Sequence, residues 1–305
     1  MSNTGDSGKE YRKECTGPAL ELARKRAEPT DITLFASCFC PFVQRVWAAF
    51  EYLQIPYQYY EVDPYKKPRD LLDVSPKGLV PGLKLNDSNP PKALNESTVI
   101  LEYINELAEQ TNGRSLLPPI THTYARALVR LQSHHVDHSI VPAFFLCLMP
   151  QDPEKQHQGR KQFLSALDGL VELFERTEKE ILGELASSTA EEEKRKVLMK
   201  GLGLWVDGNE DLGLTDVMVG PYIFRATNVL KHYRGFEMPP GEKFARWTTK
   251  LLNHPDFENT CSTDDLYLDS YERYAYRRPD TTQAAYGAKV DDYLEKEQKR
   301  KQSGP

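Results

Sequence analysis

In the run SCFCPFVQRV, residues 37–46, a cysteine stands directly before a proline, and a helix-like apolar pattern follows. Proline is favoured at the first position of a helix, where its missing N–H costs nothing, so Pro41 places Cys40 at the N-cap. Unpaired backbone N–H groups and the helix dipole favour an anion there, and a thiolate is such an anion. A cysteine so placed is expected to have a depressed pKa and to act as a nucleophile near neutral pH. The alternative for Cys40 is a buried structural cysteine. Three residues on stands Val43, so the resolving thiol of a dithiol oxidoreductase is missing. A mechanism with one protein cysteine needs a thiol from outside, and glutathione is the abundant small thiol of the cytosol. Cys38 lies two residues back along an extended segment, roughly 6.5 to 7 Å between Cα atoms. It reads as a small core residue, or else as a redox partner.

Two further features suit the same cleft. In GLVPGL the Val80–Pro81 bond opens a strand, where a cis proline would leave the backbone of Val80 free to pair with an extended peptide ligand. In NESTV a carboxylate, Glu96, and a hydroxyl, Ser97, stand at a helix N-terminus, suited to the α-amino and α-carboxylate ends of a γ-glutamyl group.

The elements that must position these residues follow from the pattern. A short strand at 32–37 is followed by a helix from Pro41 with Val43, Val46, Trp47, Phe50 and Leu53 at helical spacing, and then by a second strand in QIPYQYYEVD. PRDLLDVSPKG reads as a short helix, LVPGLKL and KALNE as third and fourth strands, and STVILEYINELAEQ as a helix opening at Ser97. The order β-α-β-α-β-β-α is followed by linker-like residues 111–119. Helices are then expected at 121–147, 155–186, 214–233, 242–252 and 264–277, with a solvated insertion at 187–196. The fold class is therefore α/β plus all-α. The domain reading is a mobile or loosely docked extension over 1–30, an α/β domain over 31–110, an all-helical domain over 119–280 and a charged tail over 281–305.

Composition narrows the function classes. The 305 residues carry 28% charged and 39% hydrophobic side chains and no apolar run near the roughly 20 residues of a membrane span. A net charge of -6 disfavours nucleic acid as a partner. The five cysteines are odd in number and irregularly spaced, which argues for free thiols, and the first 30 residues lack an apolar core and carry Asp6, Glu10, Glu14, Glu21 and Glu28, which argues against a secretory signal or a transit peptide; a cytoplasmic protein is expected.

The run from CPFVQRVWAAFEYLQIPYQYYEVDPYKKP through GLVPGL to NESTVILEYINEL resembles the thioredoxin-like domain of cytosolic glutathione transferases, specifically the cysteine-type omega class and its fungal relatives. The resemblance covers about residues 31–275 and is strongest over 38–107. It implies that Cys40 is catalytic and that Phe42 lines the thiol site. It further implies that Lys67 or the adjacent Lys66 reaches the glycine carboxylate of glutathione, that Val80 beside cis-Pro81 offers backbone hydrogen bonds, and that Glu96 with Ser97 holds the γ-glutamyl end. The implied activity is glutathione-dependent thiol transfer and dehydroascorbate reduction through a Cys40–glutathione mixed disulfide. Glutathione would be co-substrate, with a hydrophobic or glutathionylated acceptor, no metal and a homodimeric assembly. The rivals are a glutathionyl-hydroquinone reductase, a non-catalytic glutathione or ligand carrier, and an intracellular chloride channel, the last disfavoured because VQRVWAAFEYLQI is only 13 residues long and contains Arg45 and Glu51. The family's Ser/Thr-x-x-Asp capping box is here GLTD, with Gly213 in place of the hydroxyl and Asp216 kept, so a weaker cap is expected. Aromatic candidates for an acceptor site are Tyr124, Phe144, Phe145, Trp205 and Tyr222. His134 and His138, four apart in HHVDH, lack a third metal ligand and read as surface or interface residues.

Overall fold

The computed structural model describes residues 10–63, 66–183 and 189–277. Strands β1 (Ile32–Ala36), β2 (Gln58–Glu61), β3 (Gly82–Leu85) and β4 (Lys92–Asn95) form one sheet in the order β2-β1-β3-β4. β1 pairs parallel with β2 and antiparallel with β3, which pairs antiparallel with β4. The parallel pair needs a crossover, and helix α2 (Pro41–Leu53) supplies it. Helix α3 (Arg69–Val74) covers the other face, where Leu71 and Val74 join Phe35 and Val62 in a small separate core. Helix α4 (Ser97–Thr111) closes the expected β-α-β-α-β-β-α order and packs beside α2. This is a thioredoxin-like domain.

A helical domain follows, with α5 (Thr123–His135), α6 (Val141–Leu148), α7 (Pro153–Leu182), α8 (Thr189–Met199), α9 (Leu214–Arg225), α10 (Lys231–Arg234), α11 (Glu242–Leu252), α12 (Pro255–Glu258) and α13 (Asp264–Ala275). Single π-helical segments at Val136–Ile140 and Ala226–Leu230 carry α5 into α6 and α9 into α10, so each pair reads in sequence as one long helix. The solvated insertion expected at 187–196 is helical from Thr189, and Leu198 is buried. α9 runs through the core, and its buried Val217 and Ile223 sit among residues of the large cluster shared with α2.

The loose docking expected for the N-terminal extension does not hold for the residues described. Helix α1 (Gly17–Lys25) buries Ala19 and Leu22, Cys15 is buried before it, and the segment is tied at both ends. Ala19 N–H donates to Cys261 O at 3.3 Å, Tyr59 N–H donates to Arg26 O at 2.7 Å, and Arg12 pairs with Asp265. Arg26 also holds Glu51 of α2 through two hydrogen bonds of 2.9 Å. Two apolar anchors gave too weak a period to reveal this helix, and its hydrogen bonds to α2, β2 and the 261–265 segment are invisible to composition. The remaining parts of the expected extension and tail, residues 1–9 and 278–305, lie outside the described residues.

Candidate active site

Cys40 is the N-cap of α2, with extended backbone and Pro41 at the first helical position, as the sequence implies. Its partly exposed thiol points across to β3 and donates to Val80 O at 3.7 Å. The Val80–Pro81 bond is cis. Val80 and Pro81 border a cleft of about 460 Å³, within the range of small-molecule pockets, and Cys40 stands behind Val80 and is not itself among the lining residues. Phe42, Val80, Pro81, Glu96 and Ser97, all expected at the site, line the cleft. Glu96 caps α4 with φ 69°, a left-handed conformation that costs a non-glycine residue free energy and is found where the surroundings enforce it. Ser97 is buried, and its Oγ accepts from Arg45 Nη1 at 3.4 Å.

Lys67 is placed differently. Its ammonium donates to Lys77 O at 3.0 Å, its stem lies against Gly78, and it is not among the lining residues. Lys77 itself lines the cleft, with Ser75, Leu79 and Asn95. The loop 75–79 after α3 carries no period and no motif, so only the fold brings Lys77 into view. Of the aromatic acceptor candidates none lines this cleft: Phe144, Phe145, Trp205 and Tyr222 are core, and Tyr124 is exposed and bonded to Glu180 at 2.6 Å. Tyr222 comes nearest, its ring edge-on to Phe42 at 6.2 Å between centroids. His134 and His138 stack at 3.9 Å between ring centroids.

Two buried cations and a half-buried carboxylate hold the elements around Cys40, and none of these roles was read from the sequence. Arg45 donates to Asp137 at 2.8 Å and to Met218 O at 3.2 Å, tying α2 to the helical domain. Arg225 reaches in from α9 and donates to Phe39 O at 2.9 Å. Glu61 accepts the backbone N–H of Cys38 at 2.8 Å and takes further hydrogen bonds from Tyr59 and Cys15, so it holds the loop that leads into Cys40. Burial pushes Glu61 up to about 7, against the hydrogen bonds that favour its ionised form. Cys38 is buried with its thiol pushed well up by desolvation and by Glu61, which suits its reading as a core residue.

The Cys40 thiol departs from the expectation of a depressed pKa. Burial raises it above the ordinary value, and the N–H groups of Val43 and Phe42 with the cations Arg225 and Arg45 recover only part of that rise. The helix N-terminus works in the expected direction, but desolvation of the anion is the larger effect. A raised pKa moves the thiolate fraction to higher pH, so Cys40 alkylation by iodoacetamide, without glutathione, is expected to keep rising to at least about pH 9. Peptide mass spectrometry across the pH range checks this, and a plateau below neutrality would contradict it.

The family of the chain is settled by comparison with known proteins. The glutathione S-transferase N-terminal domain family matches residues 34–112, the segment that holds Cys40, Phe42, Val80, Pro81, Glu96 and Ser97. Glutathione S-transferase U2 of Arabidopsis thaliana is 33% identical over 234 residues, which is 75% of this chain and 87% of that protein. The chain belongs to the glutathione transferase family. The transferase is also 25% identical to glutathione S-transferase DHAR2 of Arabidopsis thaliana over 76% of its own length and 89% of the relative's. Its fold is similar to that of glutathione transferase Omega 3C from Trametes versicolor, with a TM-score of 0.65, 28% identity, and coverage of 87% of this chain and 98% of the other. Among the described residues of the transferase, no helix is long and apolar enough to cross a membrane.

Proposed function

We propose that the protein is an omega-like, glutathione-dependent thiol transferase whose reacting group is Cys40. The observation that carries the reading is the placement of an N-cap thiol 3.7 Å from the carbonyl of Val80, a residue that lines a cleft together with Glu96 and Ser97 at the start of α4. A γ-glutamyl-cysteinyl-glycine would lie extended along β3, its γ-glutamyl amine on the Glu96 carboxylate and its carboxylate on Ser97 and the α4 N-terminus. Its cysteine sulfur would then meet Cys40. Lys77 at the cleft wall is the cation available to the glycine carboxylate.

The Cys40 thiolate attacks the glutathione sulfur of a mixed disulfide; the Cys40–glutathione S–S bond forms, the substrate S–S bond breaks, and the substrate leaves as a thiolate that takes a proton from solvent. A glutathione thiolate then attacks the same glutathionyl sulfur, releasing oxidised glutathione and regenerating Cys40. Dehydroascorbate fits the same cycle as an acceptor of two electrons and two protons, with two glutathione molecules oxidised to the disulfide. A second protein thiol is unnecessary in either case.

The test is glutathione-dependent reduction of a small mixed disulfide, followed by NADPH consumption through glutathione reductase, with mass spectrometry of the enzyme quenched in turnover. Turnover accompanied by a glutathione adduct on the Cys40 peptide is expected. Glutathione binding with neither turnover nor adduct would replace this reading with that of a ligand carrier.

A further inference from the structure

Helix α9 carries a cation into the interior without an opposite charge to meet it. Arg225 is 0% exposed. Its Nη1 donates to Gln44 Oε1 at 2.6 Å and to Pro221 O at 2.9 Å, and its Nη2 donates to Phe39 O at 2.9 Å. The guanidinium lies over the rings of Tyr267 and Tyr271, 4.6 and 5.6 Å from their centroids, and its Nε has no hydrogen-bond partner among the described residues. These contacts are neutral dipoles and π faces. Arg45, the other buried cation near Cys40, already has Asp137 at 2.8 Å. A guanidinium buried without an anion is costly, because neutral dipoles and ring faces replace only part of the hydration it loses.

The position of Arg225 indicates which anion completes the pair. Two of its hydrogen bonds bracket Cys40 in the chain: Phe39 immediately precedes the cysteine, and Gln44 donates its backbone N–H to Cys40 O at 3.1 Å. Gln44 is itself held by Thr260, at both the carbonyl and the hydroxyl, and by the thiol of Cys261. Arg225 therefore crosses from the helical domain and grips both sides of the turn that presents the sulfur.

We propose that Arg225 is the counter-ion of the Cys40 thiolate, a positioning residue that fixes the turn around the sulfur and balances its negative charge before attack and again when it leaves the mixed disulfide. This rests on Cys40 being the reacting thiol. The other groups facing the pair do not supply that charge. Cys38 on the preceding loop and Tyr222 on α9 are pushed well above their ordinary values by burial, Tyr267 on α13 is raised likewise, and Cys261 is pushed up to about 12. Tyr271 is a second phenol behind the guanidinium, and the Glu61 carboxylate is occupied with the Cys38 N–H, Tyr59 and Cys15. Removing Arg225 leaves only Arg45, which is committed to Asp137.

The test is the pH profile of iodoacetamide alkylation at Cys40 in the full chain, read on its own peptide by mass spectrometry, for the native protein, Arg225→Lys and Arg225→Gln. Glutathione is absent, so the result does not depend on turnover. Arg225→Gln is expected to move the profile up by about one pH unit. At neutral pH the rate should fall about three- to tenfold, the greater nucleophilicity of a more basic thiolate offsetting part of the loss. Arg225→Lys keeps the charge and should restore most of the native profile. A folded Arg225→Gln protein with a native profile, or a lysine variant displaced as far as the glutamine one, would overturn the proposal. Should Arg225→Gln fail to fold, Gln44→Glu gives Arg225 a permanent carboxylate in place; the same upward displacement is expected there, and a native profile overturns the idea. A displaced profile in a protein without thiol-transfer turnover would sink the transferase reading and keep the ion pair, whereas turnover with an unmoved profile does the reverse.

Discussion

Cys40→Ser is expected to lower glutathione-dependent disulfide reduction by on the order of a thousandfold or more while leaving the fold and glutathione binding close to native. The reaction exchanges sulfur for sulfur, and an oxygen cannot form the mixed disulfide through which both half-reactions pass. Nor is the serine hydroxyl activated here. The thiol it replaces touches Val80 O and feels the cations Arg225 and Arg45, with no imidazole or carboxylate among these neighbours to act as a base. Sterically the change is small: the hydroxyl fits the space of the thiol and keeps a donor toward Val80 O. The groups proposed to hold glutathione, Glu96, Ser97 and the Val80 backbone, are untouched. Thermal unfolding and glutathione titration of the variant serve as controls beside the coupled assay. Residual turnover above about one per cent of native would show that Cys40 is not the sole reacting thiol.

What the sequence revealed and what it hid have a common physical basis. Elements with a strong apolar period were legible: α11 spans Glu242–Leu252, the expected 242–252, because Phe244, Trp247 and Leu251 fall on one buried face. The site was legible wherever a motif fixes local backbone, as at the N-cap Cys40, the cis Val80–Pro81 bond and the Glu96–Ser97 entrance to α4. Hidden were the residues whose role depends on tertiary placement. Arg45 and Arg225 are charged, and charged side chains are read as surface by default, yet both are fully buried at the junction of α2 and α9. Glu61 occupies the end of an edge strand, where a carboxylate normally meets water; here the Cys38 N–H, Tyr59 and Cys15 from the N-terminal segment all bond to it. Lys77 was missed for the opposite reason, since nothing in an irregular loop distinguishes it from Lys66 or Lys67. The expectation of a low thiol pKa erred because helix-terminus stabilisation is visible in sequence and desolvation is not.

Asp216→Ala is expected to destabilise the protein by about 3 to 6 kcal/mol, a large part of the total stability of a typical domain. The sequence shows a defective capping box here, with Gly213 where the hydroxyl belongs, and predicts a weak cap. The structure gives Asp216 more to do. Its Oδ2 accepts the N–H of Gly213 at 2.9 Å and that of Leu204 at 2.9 Å, and its Oδ1 accepts Trp247 Nε1 at 2.9 Å, joining the start of α9, the 201–204 loop and α11 through one buried carboxylate. Gly213 lacks a side chain because the loop passes too close: a Cβ there would lie 2.9 Å from Gly203 Cα, and a Cβ on Gly203, at φ +89°, would lie 2.5 Å from Asp216 Oδ2. The missing hydroxyl is thus the condition for the Leu204 N–H to reach the carboxylate. Alanine at 216 would strand three buried donors at once. Burial pushes Asp216 up to about 6, outweighing the three hydrogen bonds that favour its ionised form. Since the folded pKa exceeds the unfolded one, this group's contribution to stability is greatest below about pH 4 and is lost as pH rises through about 6. Asp216→Asn should abolish that part of the pH dependence and cost about 1 to 3 kcal/mol, because its amide N–H must face one of the three donors. Urea unfolding followed by tryptophan fluorescence at several pH values measures both effects; an alanine variant destabilised by less than about 1 kcal/mol would mean that water satisfies the stranded donors and that packing alone holds α9 in place.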